Sequence, residues 1–101
     1  MTENEIKKLA VEYLERNYPD AIIWVAPAFR KMRWDIFGVF DLILLCEGKA
    51  FFIQYTTLTN LSHRRNKIND FLSKINWNDN FGIVIMAWDK KKGVFKIEKL
   101  V

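Results

Sequence analysis

Two apolar, β-rich runs joined by a tight turn dominate the stretch from Trp34 to Thr57 and constrain the fold most strongly. The first run covers residues 39–46, and the turn signal Glu47-Gly48 separates it from the second run, residues 49–57. Both faces of this predicted hairpin are largely apolar, which is typical of strands that are covered on both sides. We therefore expect the hairpin to lie at the centre of a covered sheet.

Three polar residues interrupt the predicted hairpin near one end. Asp41 stands at the head of the first strand, and Gln54 and Thr56 lie near the end of the second. Since side chains alternate along a strand, Gln54 and Thr56 share one face. Polar groups at the shared end of two buried strands indicate a functional site, although a plain polar strand end fits the same residues.

The remaining chain supplies helices and further strands around this hairpin. Periodicity, caps and turn residues predict, in chain order, a helix over residues 3–17 capped by Thr2, a strand over 21–26, a helix over 59–76, and strands over 81–88 and 94–100. The apolar stripe of the second helix runs from Leu61 to Ile75. The predicted order is α-β-β-β-α-β-β, an α/β single domain over residues 1–101 with a mixed sheet flanked by helices.

The charge of the chain is uneven. The net charge is +4, and residues 1–20 hold five acidic and three basic residues, whereas residues 21–101 hold seven acidic and thirteen basic ones. A basic body is typical of proteins that bind nucleic acid or another polyanion, and solubility is the alternative explanation.

Several features indicate a cytoplasmic protein without a membrane partner. The single cysteine, Cys46, has no partner for an internal disulfide and fits a reducing compartment. The polar start of the chain does not resemble a signal peptide. The longest apolar run, Leu42–Cys46, is far shorter than the ~18 residues that suggest a membrane span.

Basic residues cluster in two places. Arg30 and Arg33 lie close to aromatic residues, an arrangement that can hold phosphates and stack on bases. Arg64, Arg65 and Lys67 crowd the start of the second predicted helix, where cations oppose the helix dipole. A sequence that tolerates this cost presents the charges to a partner such as DNA, and a solvated surface is the alternative.

Residues 35–56 resemble the core of the PD-(D/E)XK, or restriction-endonuclease-like, nuclease superfamily, and the predicted order of elements agrees over roughly residues 3–88. Asp41 stands at the position of the superfamily's Asp on the second core strand. The tripeptide Gln54-Tyr55-Thr56 stands at the Glu-X-Lys or Gln-X-Lys motif on the third. The chain is also similar to small Holliday-junction-resolvase-like proteins of phages and archaeal viruses, so the cytoplasm of a host is the expected location for a viral protein.

The resemblance implies a Mg²⁺ or Mn²⁺ site and no organic cofactor. Asp41 and Gln54 would hold the metal with a carboxylate from the first helix, for which Glu12 and Glu5 are the candidates. The backbone carbonyl of Tyr55 would add a fourth oxygen, and hard oxygen ligands of this kind suit Mg²⁺. The implied catalytic residues are Asp41, Gln54, Thr56 and Glu12.

Thr56 departs from the superfamily pattern, which has a lysine at this position. A hydroxyl supplies no positive charge, so a replacement would come from the second helix, which offers Arg64, Arg65, Lys67 and Lys74. One hypothesis is a metal-dependent nuclease that cuts DNA, including branched or structured DNA. The alternative is a degenerate relative that binds nucleic acid or a protein partner without cutting. A third hypothesis is an assembly protein with an apolar edge, and a homodimer fits all three.

Overall fold

The computed structural model describes residues 1–29, 32–33, 35–76 and 81–101, with residues 28, 29, 32 and 33 described by their backbone alone. In chain order the elements are α1 (Glu3–Asn17), β1 (Ile22–Val25), β2 (Ala28–Phe29), β3 (Met32–Arg33), β4 (Leu42–Cys46), β5 (Lys49–Thr57), a 3-10 helix (Leu58–Asn60), α2 (Leu61–Leu72), β6 (Phe81–Asp89) and β7 (Val94–Lys99).

Five of these strands form one mixed sheet in the order β1-β4-β5-β6-β7. β5 and β6 are parallel, and the other neighbours in the sheet are antiparallel. The predicted α/β class and the sequence of a three-strand meander, a crossover helix and a further strand are confirmed as a single compact domain. β2 and β3 form a separate antiparallel pair between β1 and β4 in the chain.

The central hairpin forms as the sequence predicts, except that its first strand begins at Leu42 rather than at residue 39, because residues 37–39 form a turn. β4 pairs with β5 in a register that sets Leu42 opposite Ile53 and Cys46 opposite Lys49. The turn between them has positive φ at both central residues, 53° at Glu47 and 74° at Gly48. Two positive φ angles are what a two-residue hairpin turn of this kind requires, because its twist then matches that of the strands.

The two α-helices cover opposite faces of the sheet. α1 packs through Ile6, Ala10 and Leu14, and the strand residues in its cluster are Leu42, Leu44, Ile53, Tyr55, Val84 and Met86. α2 packs through Leu61 and Ile68, and the strand residues in its cluster are Phe52, Ile83, Ile85 and Ala87. The prediction that the central hairpin is covered on both faces is therefore confirmed.

The helix ends follow their caps. The Thr2 hydroxyl accepts a hydrogen bond of 3.2 Å from the backbone of Glu5, so the predicted bounds of α1 are confirmed. The prediction that the second helix continues to residue 76 is wrong. α2 ends at Leu72, because the Ser73 hydroxyl donates to the Asp70 carbonyl at 2.6 Å and the next backbone N–H, that of Lys74, donates to Phe71 three residues back at 3.1 Å. Ile75, which we predicted to be buried, is 40% exposed.

No helix within the described ranges is both long enough and apolar enough to cross a membrane.

Candidate functional site

A buried polar pair joins the two strands of the central hairpin. The register places Asp41 opposite Gln54, and these residues are only 1% and 2% exposed. The Gln54 side-chain amide donates to Asp41 Oδ2 at 2.8 Å, and the backbone N–H of Tyr55 donates to the same oxygen at 2.9 Å. The pairing of Asp41 with Gln54 follows from the predicted turn, since the turn fixes the register of the hairpin.

The backbone of Asp41 is also fixed on both sides. Its N–H donates to the Ile53 carbonyl at 2.9 Å, and its carbonyl accepts from Ala26 at 2.8 Å. Asp41 therefore links the ends of β1 and β4 to β5. Charge-assisted hydrogen bonds to a buried carboxylate are stronger than neutral ones, so the side chain is held in one position.

Gln54 and Thr56 lie on the face of the sheet that α2 covers. They alternate along β5 with Ile53 and Tyr55, which pack beneath α1. Thr56 is 6% exposed, so its side chain is buried in the sheet.

A small cleft of about 160 Å³ opens at the end of β5 beside Thr56. Glu3 from the start of α1, Asn60 and Arg64 from the start of α2 also line this cleft. Arg64 is half-buried, and its Nε is buried without a hydrogen-bond partner among the described residues. The cleft therefore brings the carboxylate of Glu3 and the guanidinium of Arg64 to the side of Thr56.

The structure does not bring the predicted helix acid, Glu12, to Asp41 and Gln54. Glu12 is exposed and lies roughly 160° around α1 from the stripe that faces the sheet. Glu5, the alternative, is also exposed and lies roughly 140° from this stripe. α1 moreover covers the face of the sheet opposite to Gln54.

Glu3 is the acid that we did not predict. Its spacing to Ile6, Ala10 and Leu14 places it on the sheet-facing stripe of α1. Among the four glutamates of α1 it alone has this position. The sequence alone could have indicated this position, because Glu3 lies three residues before Ile6 and therefore extends the buried stripe of α1 toward its N-terminus.

The two side chains that the resemblance assigns to a metal ion are hydrogen-bonded to each other. Mg²⁺ prefers several hard oxygen ligands in octahedral geometry. Asp41 Oδ2 instead accepts two hydrogen bonds, and Gln54 presents its amide N–H₂ to that oxygen. Within the described ranges, no three His, Cys, Asp or Glu side chains lie close enough to share a metal ion. The ligand role of the Tyr55 carbonyl stays a prediction.

The predicted phosphate-binding residues have different environments. Lys67 is exposed. Lys74, which we predicted only as a possible replacement for the motif's lysine, pairs with Asp70 at 3.2 Å. Arg30 lies outside the described residues and the side chain of Arg33 is not described, so their contacts stay a prediction.

Arg65, also predicted to contact phosphate, is bound to the edge strand. Its Nε and a terminal nitrogen donate to the two oxygens of Glu98 at 2.6 and 2.8 Å. The hydrogen bond from Arg65 lowers the pKa of Glu98, and the same bond raises the pKa of Arg65. This guanidinium therefore links α2 to β7, and its contact with phosphate stays a prediction.

The site thus consists of a closed Asp–Gln pair, a buried threonine beside it, and an adjoining cleft with one acid and one arginine. Comparisons with protein-family models, with curated proteins and with solved structures found no match for this chain. The class of protein is therefore inferred from the topology and from this site.

Proposed function

We propose that this chain is a restriction-endonuclease-like domain that binds DNA without metal-dependent hydrolysis. The order and directions of the strands, with one helix on each face, support the likeness to that superfamily. The facing Asp41 and Gln54 on neighbouring strands support it further, because the superfamily's Asp and tripeptide occupy the same relative positions. A cytoplasmic location and a homodimer belong to the same proposal.

The observation that carries the absence of hydrolysis is the closed state of the Asp41 carboxylate. Its Oδ2 accepts hydrogen bonds from Gln54 and from Tyr55 at a position that is 1% exposed. An amide donor turned toward a carboxylate stabilises the pair without a metal, whereas a shared metal requires the amide oxygen to face the same ion. Thr56 also leaves this pair without the motif's positive charge.

DNA is the favoured ligand because the second half of the chain is basic. Residues 58–101 hold nine basic and four acidic residues, whereas residues 1–57 hold seven basic and eight acidic ones. A basic segment of this kind attracts the phosphates of nucleic acids over a range set by the ionic strength. Solubility alone would not require this difference between the two segments, because the same net charge spread evenly along the chain would serve it equally well.

Binding and cleavage are measured together to test the proposal. Fluorescence anisotropy with labelled duplex and four-way-junction DNA should show binding that weakens steeply with salt, as counterion release requires. Gel assays with Mg²⁺ or Mn²⁺ should show no cleavage above that of Asp41→Asn, which keeps the shape of the side chain. Cleavage by the wild type that the variant loses would contradict the proposal, as would the absence of DNA binding.

Metal-dependent hydrolysis of DNA, which the resemblance implies, is the second candidate. The cleft at the end of β5 favours it, because Glu3 and Arg64 lie there beside Thr56. If this candidate holds, cleavage in the same gel assay should depend on Glu3 and Arg64 as well as on Asp41. Glu12→Gln is the matched control, since Glu12 is exposed on the far side of α1.

A further inference from the structure

We propose that the edge of the sheet where β5 and β6 end binds the sugar–phosphate backbone of duplex DNA, an inference that rests on the DNA binding proposed above. β5 and β6 are parallel, so their carboxyl ends lie at the same edge. The turn from β6 to β7 follows at this edge and carries three consecutive lysines. The surface named here the carboxyl-edge groove is lined by Met1, Thr57, Leu58, Thr59, Trp88, Asp89, Lys90, Lys91 and Lys92.

The carboxyl-edge groove is open and strongly basic. Its volume is about 450 Å³, and its three lysines are exposed. The acid that lines it, Asp89, accepts backbone hydrogen bonds on Oδ1 from Lys91 at 3.0 Å and from Lys92 at 3.2 Å. These two hydrogen bonds fix the conformation of the turn that carries the lysines. Oδ1 of Asp89 therefore accepts hydrogen bonds from the protein's own backbone.

Among the described residues, two buried donors without hydrogen-bond partners lie beside the same edge of the sheet. Within the described ranges, the buried side-chain donors that lack a hydrogen-bond partner are Arg64 Nε and Trp88 Nε1. Trp88 lines the carboxyl-edge groove, and Arg64 lines the neighbouring cleft. Neither nitrogen is open to solvent, so the positive charge of the half-buried Arg64, rather than these two N–H groups, is what the cleft offers to a phosphate.

The groove and the cleft form a continuous path. Thr57 lines both of them, so it lies between the arginine on one side and the lysines on the other. A strand of DNA along this path would meet a guanidinium, threonine hydroxyls and ammonium groups in succession. Groups of these kinds bind phosphates in protein–DNA complexes, and contacts with phosphates do not distinguish one base sequence from another.

Duplex DNA fits this path better than a single strand. Proteins that bind single strands stack the bases on exposed aromatic rings. Among the described residues of the groove, the one aromatic side chain is Trp88, and it packs edge-on against Phe95 with ring centroids 5.0 Å apart. The groove therefore offers charge and hydroxyl groups but no stacking platform, which suits a ligand whose bases are already stacked.

The test compares two variants that each lose three positive charges. In Lys90→Ala/Lys91→Ala/Lys92→Ala, the slope of log K against log salt for duplex DNA should fall by about 2.7, since each phosphate contact contributes about 0.9. In the control Lys7→Ala/Lys8→Ala/Arg16→Ala, the charges are lost from α1, and the slope should stay at the wild-type value. Arg64→Met should lower the slope by about one unit.

The outcomes separate this inference from the proposed function. If the triple-lysine variant still binds DNA with the wild-type slope, the assignment of the carboxyl-edge groove is overturned and the proposed DNA binding is not. Equal losses in the two triple variants would show a general charge effect and would also overturn it. Tighter binding of an oligo-dT strand than of a duplex of equal length would overturn the assignment to duplex DNA. A wild-type protein that binds no DNA at all would overturn both proposals.

Discussion

At the scale of single residues, the decisive feature is a buried carboxylate whose donors come from the next strand. Burial of an unpaired carboxylate is costly, and the hydrogen bonds from Gln54 and Tyr55 offset this cost at Asp41. The facing positions of Asp41 and Gln54 follow from alternation and the turn, so the pair could be predicted from the sequence. The direction of the Gln54 amide could not, because it depends on contacts that no pattern encodes.

Gln54→Leu tests the contribution of this amide to stability. The substitution keeps the size of the side chain but leaves the buried carboxylate with one donor fewer. The free energy of unfolding, measured with urea, should fall by about 2 kcal/mol. Asn69→Leu removes an exposed amide from α2 and should change the free energy by less than about 0.5 kcal/mol. Equal effects of the two substitutions would show that the Asp41–Gln54 bond contributes nothing specific.

At the scale of elements, one ion pair fixes α2 against the edge of the sheet. Arg65 and Glu98 form two short hydrogen bonds between α2 and β7, and their side chains are 35% and 22% exposed. The sequence predicts both elements, but it gives no sign that these two residues meet, because they are far apart in the chain. The arginine that we assigned to phosphate therefore has a structural partner.

The pH dependence of stability tests this pair. Arg65 lowers the folded-state pKa of Glu98 below its ordinary value of 4.5, so the pair stabilises the fold above that pH and loses its effect as the pH falls through the folded-state pKa. The urea midpoint of the wild type should therefore exceed that of Glu98→Gln more at pH 7 than near pH 3. Asp70→Asn, which breaks an exposed pair on the same helix, should show a much smaller change. An equal difference for Glu98→Gln at both pH values would contradict this account.

The turn of the central hairpin gives a second prediction at this scale. Gly48 has a φ of 74°, where a side chain is strained, although nothing lies within 4 Å of the position of an added Cβ. Gly48→Ala should lower the free energy of unfolding by about 1 kcal/mol through backbone strain alone. Gly48→Asn should cost less, because asparagine tolerates this conformation. If Gly48→Ala and Gly48→Asn both have the free energy of unfolding of the wild type, the turn does not have the positive φ angles described above.

At the scale of the whole molecule, the sequence predicts the architecture better than the arrangement of the site. The hairpin, the two covering helices and the edge strand follow from periodicity and turn residues, which are local signals. The end of α2 was overestimated because no Gly or Pro marks it, and Ser73 closes it by hydrogen bonds instead. Glu12 and Glu5 are the predicted helix acids, and Glu3 is missing from the prediction because the buried stripe of α1 was not extended back to the first residue of the helix.

The central claim is that Asp41 stabilises the fold through hydrogen bonds and does not bind a metal ion. The free energy of unfolding of the wild type and of Asp41→Asn, each with and without excess Mg²⁺ or Mn²⁺, tests this most directly. The account predicts that the variant is less stable by about 1–3 kcal/mol and that metal changes neither protein. A ligand that binds only the folded state raises its stability. Stabilisation of the wild type by metal, absent in Asp41→Asn, would contradict the account.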